Sequence, residues 1–150
     1  LGYKVDVYGN NWKGLIDDCY IKGEHIENSD LAKYYSSCRI LLNDHWDDMR
    51  DKGFISNRLF DGFACGAFIV SDNISGADAV FGNALVTYND QSELRLILEK
   101  YLSEDILRKR RSDTGYSAVV KKHTFKNRVF VINKAIIDAR KRREISRFHN

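Results

Sequence analysis

Through the first ninety residues, short unbroken apolar runs alternate with polar clusters. Lys4 to Tyr8 reads as a strand ended by Gly9-Asn10-Asn11-Trp12, and a weaker strand lies near Cys19–Lys22, ahead of Gly23. Asn28-Ser29-Asp30 opens a helix with Leu31, Tyr34, Tyr35 and Cys38 on its apolar face. Arg39 to Asn43 contains the continuous apolar strand Ile40-Leu41-Leu42, and a polar stretch follows from Asp44 to Ile55. Ser56 then caps a helix that turns Leu59, Phe60, Phe63 and Ala64 inward and stops at Gly66. Ala67 to Val70 is another apolar strand, ended by Ser71-Asp72. A short helical turn near Ala77–Val80 and a strand from Leu85 to Tyr88 complete the alternation.

The second half is helical. Asp90 and Glu93 have capping-box spacing ahead of Leu94, Ile97, Leu98 and Tyr101. Ser103 starts a further helix with Glu104 and Asp105 in its first turn, and a last helix carries Phe125, Val129, Ile132 and Ile136. Strands without polar alternation are covered on both faces, and strands alternating with helices pair in parallel. The pattern predicts an α/β fold: a Rossmann-like, doubly wound parallel sheet of about five strands with C-terminal helices.

Composition adds limits. A chain of 150 residues suits one domain. Cys19, Cys38 and Cys65 are odd in number and widely spaced, which points to reduced thiols and a cytoplasmic location, with no disulfide framework or zinc site. No apolar run approaches the roughly 20 residues that span a bilayer. The chain opens at Leu1 without an initiating Met, as a piece of something longer would. Charge is asymmetric: residues 1–107 hold 10 Lys and Arg against 18 Asp and Glu, and residues 108–150 hold 14 against 3. An acidic body with a basic tail is unlike a nucleic-acid module. The stretch Arg140 to Arg147 reads as a solvated helix end matched to the dipole, or as a contact for a membrane surface or an acidic partner. His25 and His149 read as surface residues.

Ligands of open parallel α/β sheets bind beyond the carboxyl ends of the strands. That rule selects Gly9–Trp12, Asn43–His45, Ser56–Asp61 and Ser71-Asp72. Ser56-Asn57-Arg58 opens a helix, where free amides, the dipole and a guanidinium suit a diphosphate. The plainer alternative is a cap with Arg58 paired to Asp61. Asp61 itself has the chemistry to accept two ribose hydroxyls. Gly9-Asn10-Asn11-Trp12 is no G-x-G-x-x-G fingerprint, which disfavours nicotinamide and flavin. In Asp44-His45-Trp46-Asp47-Asp48 the histidine suits acid–base work or a sugar contact, the acids suit a metal, and the bland alternative is a solvated loop pinned by Trp46.

Two blocks carry a resemblance: Ile40-Leu-Leu-Asn-Asp-His-Trp-Asp-Asp-Met-Arg50, and Gly53-Phe-Ile-Ser-Asn-Arg-Leu-Phe-Asp-Gly-Phe-Ala-Cys-Gly-Ala-Phe-Ile-Val-Ser-Asp72. They resemble the donor-site block of group 1 glycosyltransferases, closest to the CgeB-like subgroup. Val7-Tyr8-Gly9 with Trp12, Tyr35-Ser36-Ser37-Cys38 and His123-Thr124-Phe125 with Arg128 are weaker matches. The resemblance implies the C-terminal half of a GT-B architecture, holding a nucleotide-sugar as substrate and facing a missing N-terminal domain that takes the acceptor. It implies Asp61 on the donor ribose and Asn57 and Arg58 near the diphosphate or sugar, with no cofactor and no metal. The family often carries two glutamates separated by seven residues; here those positions hold Gly53 and Asp61. The resulting expectation is a transferase domain inactive by itself, with His45 as catalytic candidate. Its substrate-binding candidates are Gly9, Asn10, Trp12, Asn43, Asp44, Ser56, Asn57, Arg58 and Asp61. The competing expectation, supported by the glycine at 53, is a non-catalytic flavodoxin-like binding or assembly module.

Overall fold

A computed structural model describes residues 2–148, and the side-chain surroundings of residues 2–143. Five strands appear, all paired in parallel: β1 (Val7–Tyr8), β2 (Ile21–Gly23), β3 (Leu41–Asn43), β4 (Ile69–Asp72) and β5 (Val86–Tyr88). Seven α-helices accompany them: α1 (Asn28–Ser37), α2 (Asp47–Lys52), α3 (Asn57–Ala64), α4 (Ala77–Phe81), α5 (Gln91–Ser103), α6 (Asp105–Lys122) and α7 (Phe125–Phe148). The architecture is the expected Rossmann-like α/β fold, with one difference. The strands form two sheets, β1-β2 and β3-β4-β5, and among the described residues no ladder joins β1 to β3.

Strand β4 is the centre of the larger sheet, and its burial explains its unbroken apolar sequence. Ala67 and Ile69 face one core with Leu59, Phe63, Phe81 and Val119. Phe68 and Val70 face the other with Tyr101, Leu94 and Ile97. Helices α3, α4 and α6 therefore cover one face and α5 the other, which is the doubly wound arrangement. Each fully buried Leu or Phe contributes about 1.5–3 kcal/mol by leaving water. Two glycines set the layer spacing. A Cβ at Gly62 would stand 2.7 Å from Leu41 Cδ2, so α3 rests directly on the sheet. A Cβ at Gly115 would stand 2.1 Å from Phe63 Cδ1, so α6 rests directly on α3.

Several boundaries differ from expectation. Lys4 to Asp6 stays outside β1, because the short β2 pairs only with Val7 and Tyr8. The stretch Asp44 to Ile55 contains helix α2, closed by Gly53 in the left-handed conformation (φ 67°). Ala64 is exposed rather than inward, although Phe60 four positions earlier is partly buried against the core. Cys19 is exposed, and Cys38 and Cys65 are partly buried. The Asp90–Glu93 box is shifted: Asp90 Oδ1 accepts the Glu93 amide at 2.8 Å, but Glu93 reaches back to the Asn89 amide at 2.9 Å.

Helix α7 departs most. Phe125 is 92% exposed, and Val129, Phe130, Val131, Ile132, Ile136 and Ile137 are exposed as well. Arg140 to Arg143 are exposed, and the rest of the basic stretch and His149 lie outside the residues whose surroundings are described. No described helix is long and apolar enough to cross a membrane.

Candidate functional site

The buried pattern of β4 continues into two polar residues, Ser71 and Asp72, at the carboxyl end of the strand. Asn43, at the matching end of β3, is 3% exposed. Polar groups so placed are stable only when hydrogen-bonded, and these are. Asn43 Nδ2 donates to Ser71 Oγ at 2.9 Å, and the Ser71 hydroxyl donates to Asp72 Oδ1 at 3.0 Å.

His45 closes the network. The Ser56 backbone amide donates to His45 Nε2 at 3.0 Å. An amide only donates, so Nε2 carries the lone pair and Nδ1 carries the proton. Nδ1 then donates to Asp72 Oδ1 at 2.6 Å. The 3.4 Å approach of Asn43 Nδ2 to the same Nδ1 sets two donors together and is a contact, not a hydrogen bond. The ring is neutral, its side chain is 0% exposed, and both nitrogens are engaged within the protein. The expected catalytic histidine thus presents no free nitrogen to a substrate in this arrangement. It fastens the β3 loop, the end of β4 and the start of α3 to one another.

At the start of α3, Ser56 Oγ accepts the Arg58 amide at 3.3 Å and Ser56 O accepts the Leu59 amide at 3.1 Å. With the Ser56 amide given to His45, the Asn57 amide is the one left without a hydrogen bond among the described residues. Arg58 does not pair with Asp61. Its Nη1 donates to Asn43 Oδ1 at 3.0 Å, which holds the guanidinium over the ends of β3 and β4. The anion site expected here is therefore narrower than a full helix terminus: one amide and one guanidinium. Asp61 is exposed one turn further along.

Arg50, Asp44 and Tyr88 border the same end of the sheet. Arg50 hydrogen-bonds Asp47 and reaches Asp72 Oδ2 at 3.4 Å. The bond to Asp47 raises its pKa most, and Asp72 and Asp44 add to the effect. Burial pushes the Tyr88 hydroxyl up, with the negative charges of Asp44 and Asp72 adding to it. Asp44 itself is exposed.

The structure thus brings Asn43, His45, Ser56 and Arg58 into one hydrogen-bonded cluster, with Asn57 beside it. Gly9, Asn10 and Trp12 lie in the turn that follows β1, beside the separate β1-β2 sheet, where Trp12 Nε1 would lie 3.1 Å from a Cβ at Gly9. No described hydrogen bond joins them to the cluster. Sequence reasoning selected the Ser71-Asp72 segment by its place at a strand end but gave neither residue a role, and it did not place Arg50 or Tyr88 in the site. For Asp72 and Ser71 the signal was present: two polar residues directly follow a fully apolar strand. Among the described residues no group of three or more His, Cys, Asp or Glu is placed to hold a metal ion.

A second histidine sits at the junction of α6 and α7. The His123 ring lies 5.6 Å from the Phe60 ring, and Arg128 Nη2 donates to its Nδ1 at 2.9 Å. Burial, with the charges of Arg128 and Lys122, holds this histidine below the ordinary value of 6.5.

Compared with known proteins, residues 1–133 match the family model described as glycosyl transferase-like. No curated protein and no solved structure matches the chain.

Proposed function

The chain belongs to the glycosyl transferase-like family, and from that premise we propose that it is the nucleotide-sugar-binding domain of a GT-B glycosyltransferase. Glycosyl transfer is the family's chemistry. The donor, its placement and the architecture are our reading. One observation carries it: the start of α3, with the Asn57 amide and the Arg58 guanidinium, is fastened to the carboxyl ends of β3 and β4 through His45, Asp72 and Asn43. Open parallel sheets bind their ligands at that edge, and this corner presents a cation and a helix amide to an anion.

In this reading the donor diphosphate lies against Asn57 and Arg58. A positive group fixed in place before reaction stabilises the negative charge that develops on the leaving diphosphate, without reorganisation. Asp61, one turn further, accepts the ribose hydroxyls. His45 is a positioning residue. The donor is a substrate, and no metal or cofactor enters the reading. The domain works in the cytoplasm and closely resembles the CgeB-like subgroup.

The exposed apolar residues of α7 support a second domain. Exposed apolar side chains such as Phe125, Val129 to Ile132, Ile136 and Ile137 are stabilised when covered, and the N-terminal half of a GT-B enzyme supplies a cover and the acceptor site. The isolated chain then binds donor and turns nothing over. Calorimetry with UDP, GDP, ADP and dTDP tests the reading. Binding of one of them is expected at up to millimolar concentration, and no heat from any would overturn it.

A non-catalytic binding module is the second reading, favoured by Gly53. Its left-handed backbone strains any L side chain, so the acid common in the family at that position has no place here. A full-length enzyme that binds donor and never hydrolyses or transfers it would establish this alternative.

A further inference from the structure

Helix α7 is a lever held at one end. Its 24 residues, Phe125–Phe148, make it about 36 Å long. From Arg128 to Arg143 every side chain is exposed. Among the described residues no hydrogen bond or ion pair ties positions 129–143 to the rest of the chain. The direction of the helix is therefore set at its first turn, by three polar ties. Thr124 and Asn127 cap one another: the Thr124 amide donates to Asn127 Oδ1 at 3.1 Å, and the Asn127 amide donates to Thr124 Oγ1 at 3.3 Å. Asn127 Nδ2 donates to the Lys121 carbonyl at 3.4 Å. Arg128 Nη2 donates to His123 Nδ1 at 2.9 Å.

Only the last of these ties titrates near neutral pH. A guanidinium only donates, so Nδ1 carries the lone pair and the ring is neutral. Protonation puts a hydrogen on Nδ1 and sets two donors and two cations against each other. Nothing nearby compensates. Among the described residues the charges that act on this ring are Arg128 of α7 and Lys122 of α6, both positive, and α3 meets it with the uncharged Phe60 ring at 5.6 Å. Burial first, and then these same cations, hold the histidine below its ordinary value.

We propose that the His123–Arg128 pair is an acid-released latch that fixes the direction in which α7 leaves the domain. With the ring neutral, α7 keeps its present line. With the ring protonated, Arg128 leaves Nδ1 and α7 pivots about the Thr124–Asn127 cap. The latch borders α3 through Phe60, two positions from Arg58. On the two-domain reading above, the pivot moves whatever covers α7 relative to the donor corner; the latch itself stands without that reading. The test is the direction of α7 in solution. Backbone amide residual dipolar couplings are measured at about pH 7.5 and about pH 5.5, in dilute, monomeric samples of the full chain and of His123→Phe. The variant keeps a ring against Phe60 and offers no acceptor. In the native chain the α7 couplings should fit the alignment of α3 and α6 at the higher pH. At the lower pH they should fall by about a third or more, the step from a rigid to a flexible backbone, while those of α3 and α6 hold. In His123→Phe the α7 couplings should be reduced at both pH values alike. A native α7 with the same direction at both pH values overturns the latch. So does a His123→Phe chain whose α7 keeps the native direction at the higher pH, and that arm decides the matter even where acid loosens the whole domain.

Discussion

His45 and Asp72 meet at 2.6 Å below the protein surface, although 27 positions separate them in the chain. The same ring accepts the Ser56 amide, so one imidazole fixes the place where helix α3 begins. Replacing it by alanine leaves Asp72 buried without its principal donor and the Ser56 amide without an acceptor. His45→Ala is expected to lose about 1–3 kcal/mol of stability and to weaken nucleotide binding. Urea unfolding followed by far-UV circular dichroism checks the first part. A midpoint equal to that of the native chain would remove His45 from the framework of the site.

Arg58 and Asp61 are exposed and test the binding surface without disturbing the apolar core. Arg58→Ala and Asp61→Ala should each weaken nucleoside diphosphate binding by about tenfold, which is about 1.4 kcal/mol. The melting temperature should stay close to the native value for Asp61→Ala and fall modestly for Arg58→Ala, which takes the donor from buried Asn43 Oδ1. Folded variants with native affinity would take both residues out of the donor site.

Gly115 tests the packing of α6 on α3. A methyl group there collides with the ring of Phe63, which is fully buried and cannot step aside. Gly115→Ala should destabilise the domain by about 1–3 kcal/mol through overpacking, measured by thermal or urea unfolding. The same substitution at Gly66, which has open space but a left-handed backbone (φ 76°), separates steric crowding from backbone strain.

His123 should make stability depend on pH. Its proton affinity is lower in the folded chain than in the unfolded one, so the unfolded state takes up the proton first as pH falls. The contribution is present in full above the ordinary histidine value of 6.5 and is lost as pH drops through the lower folded value. Melting temperatures at about pH 7.5 and about pH 5.5 should therefore differ more for the native chain than for His123→Gln. An equal difference in both proteins would place the effect elsewhere.

Sequence pattern revealed the layers because burial on two faces leaves a visible mark. Ala67 to Val70 has no polar interruption since both sides of β4 are covered, and Ser56 shows where α3 starts. Helix α2 escaped detection because its six residues, Asp47 to Lys52, are almost all charged and carry no apolar period. The site was only half legible. Ser56, Asn57 and Arg58 declare themselves through a local motif, whereas the bond from His45 to Asp72 depends on two strand ends brought together by the sheet. The loop carrying His45 looked like a place for chemistry, and nothing local indicated that both ring nitrogens would be taken by the protein.

Helix α7 places Val129, Phe130, Val131 and Ile132 in succession, and steps of about 100° per residue carry these four around the whole circumference. That one turn of the helix is sticky on every side rather than along one seam, whereas Lys134 and Arg140 to Arg143 keep the later turns charged. Produced by itself, the chain will cling to whatever oily surface it meets first, a chromatography resin or a detergent micelle included. Handling of the purified domain will be governed by that turn, however well the rest of the chain is folded.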